Sequence, residues 1–411
     1  VAERVSQGID DFGFREGTAL IISYSDLTGV NPQSTIQIVE KQAKVFCHDQ
    51  LLGKVIDPFM HDLKSTHHIK SPKSGRWMPL DASCPNPMNR ARITQPLALG
   101  VRAIDGLLTC GEGQRLAILA GSGVGKSVLL GMIARGCRSD INVIGLIGER
   151  GREVREFVER EIGEEALKRS VIVTATSDQS PLLRIRAAKV ATCIAEYFSQ
   201  QGRRVLLMMD SLTRVAQAQR EVGLSIGEIP AAKAYPPSVF AMMPKLLERA
   251  GPQPFGYGAI SGVYTVLAEG DDLYDPITDS ARSILDGHIH LSRKLAAKNH
   301  FPAIDICASI SRSMSDITPS SHMTLAKKIK RLLAIYEEQI DLIQLGGYQK
   351  GLLPELDEAI EKLPAIESFL RQSMEHVVSF EQTIQALIQV VHGTHKEDDG
   401  EETTTNQATS A

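Results

Sequence analysis

Ala120-Gly-Ser-Gly-Val-Gly-Lys126-Ser127 decides the fold. The stretch follows an apolar run, Arg115-Leu-Ala-Ile-Leu119, and continues as Val128-Leu-Leu-Gly-Met-Ile133. Strand, glycine-rich turn and helix in that order make a phosphate cradle. Gly121, Gly123 and Gly125 let successive amides curl inward, and the helix N-terminus adds positive potential. Ser122, Val124 and Val128 are expected to line the same cradle. Lys126 is positioned to reach the β- and γ-phosphates of a nucleotide and Ser127 to ligate Mg²⁺. Ala120 stands where the strict GxxxxGK[ST] pattern has its first glycine. A merely structural turn would have no need of Lys126-Ser127.

Working outward, buried-strand runs alternate with helical stretches: Asn142–Ile147, Val171–Thr174, Val205–Met209 and Val263–Leu267, with a helix over 183–201 among them. This is the rhythm of an α/β fold, a mostly parallel sheet covered on both faces. Ligands of such sheets bind at the carboxyl ends of the strands. Asp210 ends the run Val205-Leu-Leu-Met-Met209 and so fits the Mg²⁺-side acid, although Asp is also a good N-cap for a helix beginning after Ser211. Glu149, in Gly148-Glu-Arg-Gly-Arg-Glu153, comes just after another strand end. A carboxylate there can orient and deprotonate water, and Arg150 can stabilise phosphate charge. Spacing alone leaves a surface ion-pair cluster equally open. Arg152, Glu153, Arg155, Glu156, Glu159 and Arg160 read as a solvated helix face.

The flanks differ in character. Short β-like runs over 18–24, 34–39 and 43–47, punctuated by Thr28-Gly29 and Asn31-Pro32, suggest a small β-barrel. Pro85, Pro87 and Pro96 mark a strap with a boundary near Arg92. From Leu325 the apolar spacing is helical, through Ile329, Leu332, Leu333, Tyr336, Ile340 and Ile343. A second helical stretch runs from Glu355 to His392, with a break expected at Pro364. The segment from Lys396 to Ala411 is acidic and Thr-rich and reads as disordered. The boundaries expected are therefore 1–91, 92–318, 319–392 and 393–411.

Composition excludes several classes. Lys plus Arg number 45 against 49 Asp plus Glu, which gives no support to a nucleic-acid partner. The six cysteines are scattered without a CxxC pair, as expected of free, mostly buried thiols in a reducing cytoplasm. His67-His68 and His288-x-His290 lack a third metal ligand. No segment approaches the ~20 apolar residues of a membrane helix. The chain opens on Val1 without a signal-peptide pattern, and a leading segment is expected to be missing.

With these residues assembled, the chain resembles the export ATPases of bacterial type III secretion and flagellar assembly, relatives of the catalytic subunits of rotary ATP synthases. The likeness is carried by Gly100-Val-Arg-Ala-Ile-Asp-Gly106, the phosphate loop, Gly148-Glu-Arg-Gly-Arg-Glu-Val154 and Asp210-Ser-Leu-Thr-Arg214. It continues through Tyr235-Pro-Pro-Ser-Val-Phe240, Glu248-Arg-Ala-Gly251, Ile284-Leu-Asp-Gly-His-Ile289 and Ser309-Ile-Ser-Arg312. The resemblance implies a RecA-like phosphate-loop core between an N-terminal β-barrel and a C-terminal α-helical domain. It makes Glu149 the residue that activates water, Arg150 a γ-phosphate contact and Arg312 an arginine finger reaching the neighbouring subunit's site. Phe301 matches an aromatic that packs on adenine, Tyr348 completes that pocket, and Arg214 supports the site by hydrogen bonding.

The same resemblance implies a cytoplasmic homohexamer peripheral to the inner membrane. Its implied partners are a central stalk protein, a peripheral regulator, the membrane export gate, and export substrates with their chaperones, which hydrolysis would release and unfold. The family's regulator- and membrane-contacting leading segment is largely absent. Three rivals are distinguishable. A proton- or sodium-translocating rotary subunit usually carries Lys-Thr and Gly-Glu-Arg-Thr-Arg, where this chain has Lys126-Ser127 and Gly151. A hexameric RNA translocase needs an aromatic-basic platform that the N-terminal strands lack. A non-catalytic nucleotide-binding subunit would tend to lose Glu149.

Overall fold

The computed structural model describes residues 9–15, 18–24, 42–65, 72, 74–267 and 275–393. The N-terminal part pairs β1 (Ile9–Arg15) with β2 (Thr18–Ser23) in one antiparallel ladder. β3 (Lys44–Cys47) comes next, followed by β4 (Val55–Ile56) and β5 (Arg76–Pro79). β3 and β5 form a second antiparallel ladder, whereas β4 adds in parallel to the edge of the main sheet. Val45, Leu51, Ile56, Met78 and Leu80 share one apolar cluster with that sheet, so these residues pack on the nucleotide core itself. The strand expected over 34–39, the His67-His68 pair and the acidic tail lie outside the described residues.

A short ladder of β6 (Pro96–Leu97) and β7 (Cys110–Gly111) leads into the core. The core strands are β8 (Arg115–Ala120), β9 (Ile141–Ile147), β10 (Ser170–Ala175), β11 (Val205–Asp210), β12 (Ile260–Leu267), β13 (Gly287–Leu291) and β14 (Ile304–Ser311). Their order across the sheet is β14-β13-β8-β12-β11-β9-β10-β4. All neighbours are parallel except β13 and β14. β9, β10 and β11 are buried along their whole length, as strands covered on both faces must be. The helix Pro181–Ser199 covers one face; Ser180 caps it by accepting from Leu183 N–H, and Pro181 suits its first turn.

Beneath that helix Arg249 is buried and makes two hydrogen bonds of 2.7 Å to the Glu196 carboxylate. Removing one member strands the other in low dielectric. Glu196→Ala is expected to cost about 3–5 kcal/mol of stability in a chemical denaturation experiment. A loss under about 1 kcal/mol, the range of an exposed pair, would contradict that reading.

The C-terminal part is helical: Ser320–Glu338, Ile340–Gln344, Pro354–Leu370 and Phe380–His392. The break expected at Pro364 is not there. Pro364 lies on the exposed face of a continuous helix, and packing of the opposite face offsets the hydrogen bond it removes. The buried stripe Leu356, Ala359, Ile366, Phe369 and Leu370 runs past it. The interruption falls instead at 371–379, ended by a capping box of Ser379 and Gln382. All six cysteines are free, four of them buried. Among the described residues, no helix is long and apolar enough to cross a membrane.

Candidate nucleotide site

Three parallel strands deliver the chemistry to one rim of the sheet. β8 ends in the glycine-rich turn, whose Gly123 and Gly125 adopt φ of 79° and 90°, a left-handed backbone that glycine adopts without Cβ strain. Gly125 N-caps the helix Lys126–Gly136. Val124 is buried in the core and anchors the turn, while Ser122, Gly123 and Ser127 are exposed. β9 ends before Glu149 and β11 ends in Asp210.

The lysine joins these ends. Lys126 Nζ lies 2.5 Å from Asp210 Oδ1 and 3.3 Å from Glu149 Oε1. Burial alone would lower the Lys126 ammonium, but the Asp210 and Glu149 charges outweigh it and hold the group charged above its ordinary range. Burial lifts the Glu149 carboxyl above the usual carboxylate range; Lys126 opposes this and Glu153 adds to it. A carboxyl lifted in this way is a better proton acceptor than an ordinary one. Asp210 does not cap the helix that begins at Leu212. Ser211 does, accepting from Arg214 N–H, and Asp210 is left to face Lys126.

The other sequence-expected residues fall into two groups. Phe301, just before β14, lies against the loop: a Cβ on Gly125 would sit 3.4 Å from its ring. Arg214 lays its methylene stem against Gly148, whose φ of 71° and absent Cβ permit the approach; a Cβ there would be 2.9 Å from Arg214 Cβ. Its Nε is buried without a partner among the described residues, and Nη1 donates to Gln217. Arg150 is exposed beside Glu153 at 3.6 Å, and the helix beyond it carries the Arg152–Glu156 and Arg155–Glu159 pairs of a solvated face.

Arg312 stands apart from the loop, and Tyr348 is bonded within the C-terminal helices. The Tyr348 hydroxyl donates to Asp357 in the C-terminal helices. The segment tied to Phe301 is the helix break, where Gln372 N–H donates to Phe301 O at 3.0 Å. Arg312 comes directly after the last residue of β14, the strand that runs backward. Register pairs Leu291 with Ala120 at the loop end and Gly287 with Ser311 at the other. Arg312 therefore lies at the opposite rim from its own phosphate loop, about 17 Å away along β8 at ~3.3 Å per residue. Its guanidinium donates to Leu285 O and Arg282 O, both at 3.3 Å.

Two residues of this site were not visible as such in the sequence. Thr265, mid-strand in an apolar run, donates from Oγ1 to Asp210 Oδ1 at 2.6 Å. Gln372 is buried and hydrogen-bonds to Gly100 O, Arg102 N–H and His376 O. Nothing in their local patterns marks either one. His288 hydrogen-bonds Ala308 O on β14, His290 Nδ1 lies 3.9 Å from Asp305 Oδ2 on the same strand, and among the described residues no cluster suits a protein-built metal cage.

A glycine-rich loop, its lysine and two strand-end carboxylates define a phosphate-loop ATPase core. The nucleotide-binding domain of the ATP synthase alpha/beta family matches residues 100–311, and the C-terminal domain of the EscN ATPase of type III secretion matches residues 318–389. The flagellum-specific ATP synthase of Bacillus subtilis is 48% identical over 91% of this chain and 84% of its own length. The type 3 secretion system ATPase of Xanthomonas euvesicatoria is 48% identical over 92% and 84%. The assembled EscN ATPase of enteropathogenic E. coli superposes with a TM-score of 0.89 at 46% identity, covering 95% of this chain and 93% of that one. The chain thus belongs to the ATP synthase alpha/beta family and, within it, is an ATPase of the type III protein-export branch.

Proposed function

We propose that the chain hydrolyses Mg²⁺–ATP as one subunit of a homohexameric ring, at sites completed between neighbours, and that hydrolysis releases chaperones and unfolds export substrates. The observation that carries this reading is the single ammonium of Lys126 shared by Glu149 and Asp210 under the phosphate loop. The loop amides and Lys126 bind and orient the phosphates. Glu149 takes the proton of the attacking water, Arg150 and Arg214 support the charge that develops, and Phe301 faces the base. The helix-break segment around Gln372 is a better candidate than Tyr348 for the rest of the base pocket, because it is the one hydrogen-bonded to Phe301.

The residues present fit Mg²⁺. The Ser127 hydroxyl is exposed at the loop, and Asp210 Oδ2 has no donor among the described residues. Such hard oxygen donors suit an ion that keeps most of its waters and takes the rest of its shell from phosphate. When bound, the ion supplies charge neutralisation at the β- and γ-phosphates.

Arg312 supports a site shared between subunits, since its rim is remote from its own loop. An assembled relative has been solved, and so has the EscN ATPase with its central stalk EscO, at a TM-score of 0.87 to this chain. A stalk of that kind, a peripheral regulator and the export gate at the cytoplasmic face of the membrane complete the proposed partners. The test is specific ATPase rate against protein concentration. A superlinear rise is expected as subunits assemble. A rate strictly proportional to concentration, from dilute monomer upward, would contradict the shared site.

A further inference from the structure

Asp210 Oδ1 is crowded. It receives Lys126 Nζ at 2.5 Å from the loop helix and Thr265 Oγ1 at 2.6 Å from the neighbouring strand β12. Its second oxygen, Oδ2, receives no donor among the described residues. Thr265 is fully buried, in a strand that pairs with β11 on one side and β8 on the other. Two residues on, Leu267 N–H donates to Thr213 Oγ1 at 2.8 Å, a second stitch between β12 and the first turn of the helix after β11. The two stitches tie Asp210 and the start of the following helix to β12.

We propose that Thr265 is a positioning residue for Asp210. Its hydroxyl anchors Oδ1 and so presents Oδ2 toward the cation carried by the nucleotide. The inference rests on the reading of Asp210 as the Mg²⁺-side acid. Its physical content is a division of labour between the two donors to Oδ1. Lys126 is a mobile donor, on a long flexible stem, and an incoming γ-phosphate competes for it. Thr265 is a fixed donor: a β-branched side chain has few rotamers, and a buried one in a central strand has no room to leave. When Lys126 turns to phosphate, the carboxylate keeps one bond and therefore its rotation. Without the hydroxyl, Asp210 would be re-oriented by each change at Lys126, and cation binding would become loose.

The test uses the full chain and a fluorescent ADP analogue. Its binding is measured in EDTA and then across a Mg²⁺ titration, for wild type, Thr265→Val and Thr265→Ser. Thr265→Val removes the hydroxyl at nearly constant shape and is expected to raise the Mg²⁺ concentration for half-effect by about tenfold or more, the usual scale for losing a partner of a cation ligand. Affinity in EDTA is expected to stay at the wild-type value, and Thr265→Ser to restore the wild-type Mg²⁺ midpoint. If Thr265→Val does not fold, Thr265→Ala serves in the same titration. A Thr265→Val midpoint equal to wild type, or a Thr265→Ser midpoint equal to that of Thr265→Val, overturns the proposal. Absence of a Mg²⁺-dependent step in wild type would overturn the reading of Asp210 as well, so the two failures are distinguishable.

Discussion

Glu149→Gln is expected to lower kcat by about 10²–10⁴-fold, the range in which a positioned general base contributes. The glutamine keeps the size and much of the hydrogen bonding of the acid. It leaves Lys126 one carboxylate partner, Asp210, so nucleotide binding should survive. The sharper test is the pH profile. Burial lifts the Glu149 carboxyl above the ordinary carboxylate range. Protonation removes the base, so wild-type kcat/KM should rise with pH through that elevated pKa and level off above it. The acid limb therefore lies at higher pH than an unperturbed glutamate would place it. The residual rate of Glu149→Gln should lack that limb. An unchanged limb in the variant would mean that another group is the base.

Arg312→Ala is expected to cost about 10³–10⁵ in kcat, as loss of an arginine finger does in phosphate-loop enzymes that use one. The reason is geometric. Arg312 leaves β14 at the rim opposite its own loop, and its present contacts are two carbonyls near the end of the helix Pro276–Ile284. It has no route to its own γ-phosphate. Equilibrium nucleotide binding to the dilute subunit should therefore be unaffected. Mixing Arg312→Ala with Glu149→Gln should recover part of the activity, because some interfaces then join an intact arginine to an intact glutamate. A dilute Arg312→Ala subunit that binds nucleotide poorly would point to a structural role instead. So would a mixture with no recovery.

The nucleotide core was legible in the sequence because its signals are local. Gly123, Gly125, Lys126 and Ser127 are adjacent in the chain, and Asp210 and Glu149 each end an apolar run. What was not legible depends on pairing between distant segments. β4 is too short to stand out, and only its register with β10 makes it a strand. β13 and β14 complete the edge of the sheet, and β14's reversed direction sends Arg312 to the far rim. Thr265 hides in an apolar strand because its partner is 55 residues away. Pro364 misleads because the buried stripe from Leu356 to Leu370 on the opposite face holds the helix together across it. Tyr348 rests on a looser likeness than the other site residues, and its bond to Asp357 joins positions nine residues apart that no local pattern links. Gln372 gains its meaning only where the helix break meets Gly100 and Phe301.

The reversal of β14 also bears on the economy of the cell. On the proposed shared site, a subunit whose arginine finger lies across the sheet from its own substrate would consume ATP poorly while it waits, newly made, for neighbours to join. Fuel use would then be tied to construction by the direction of one strand.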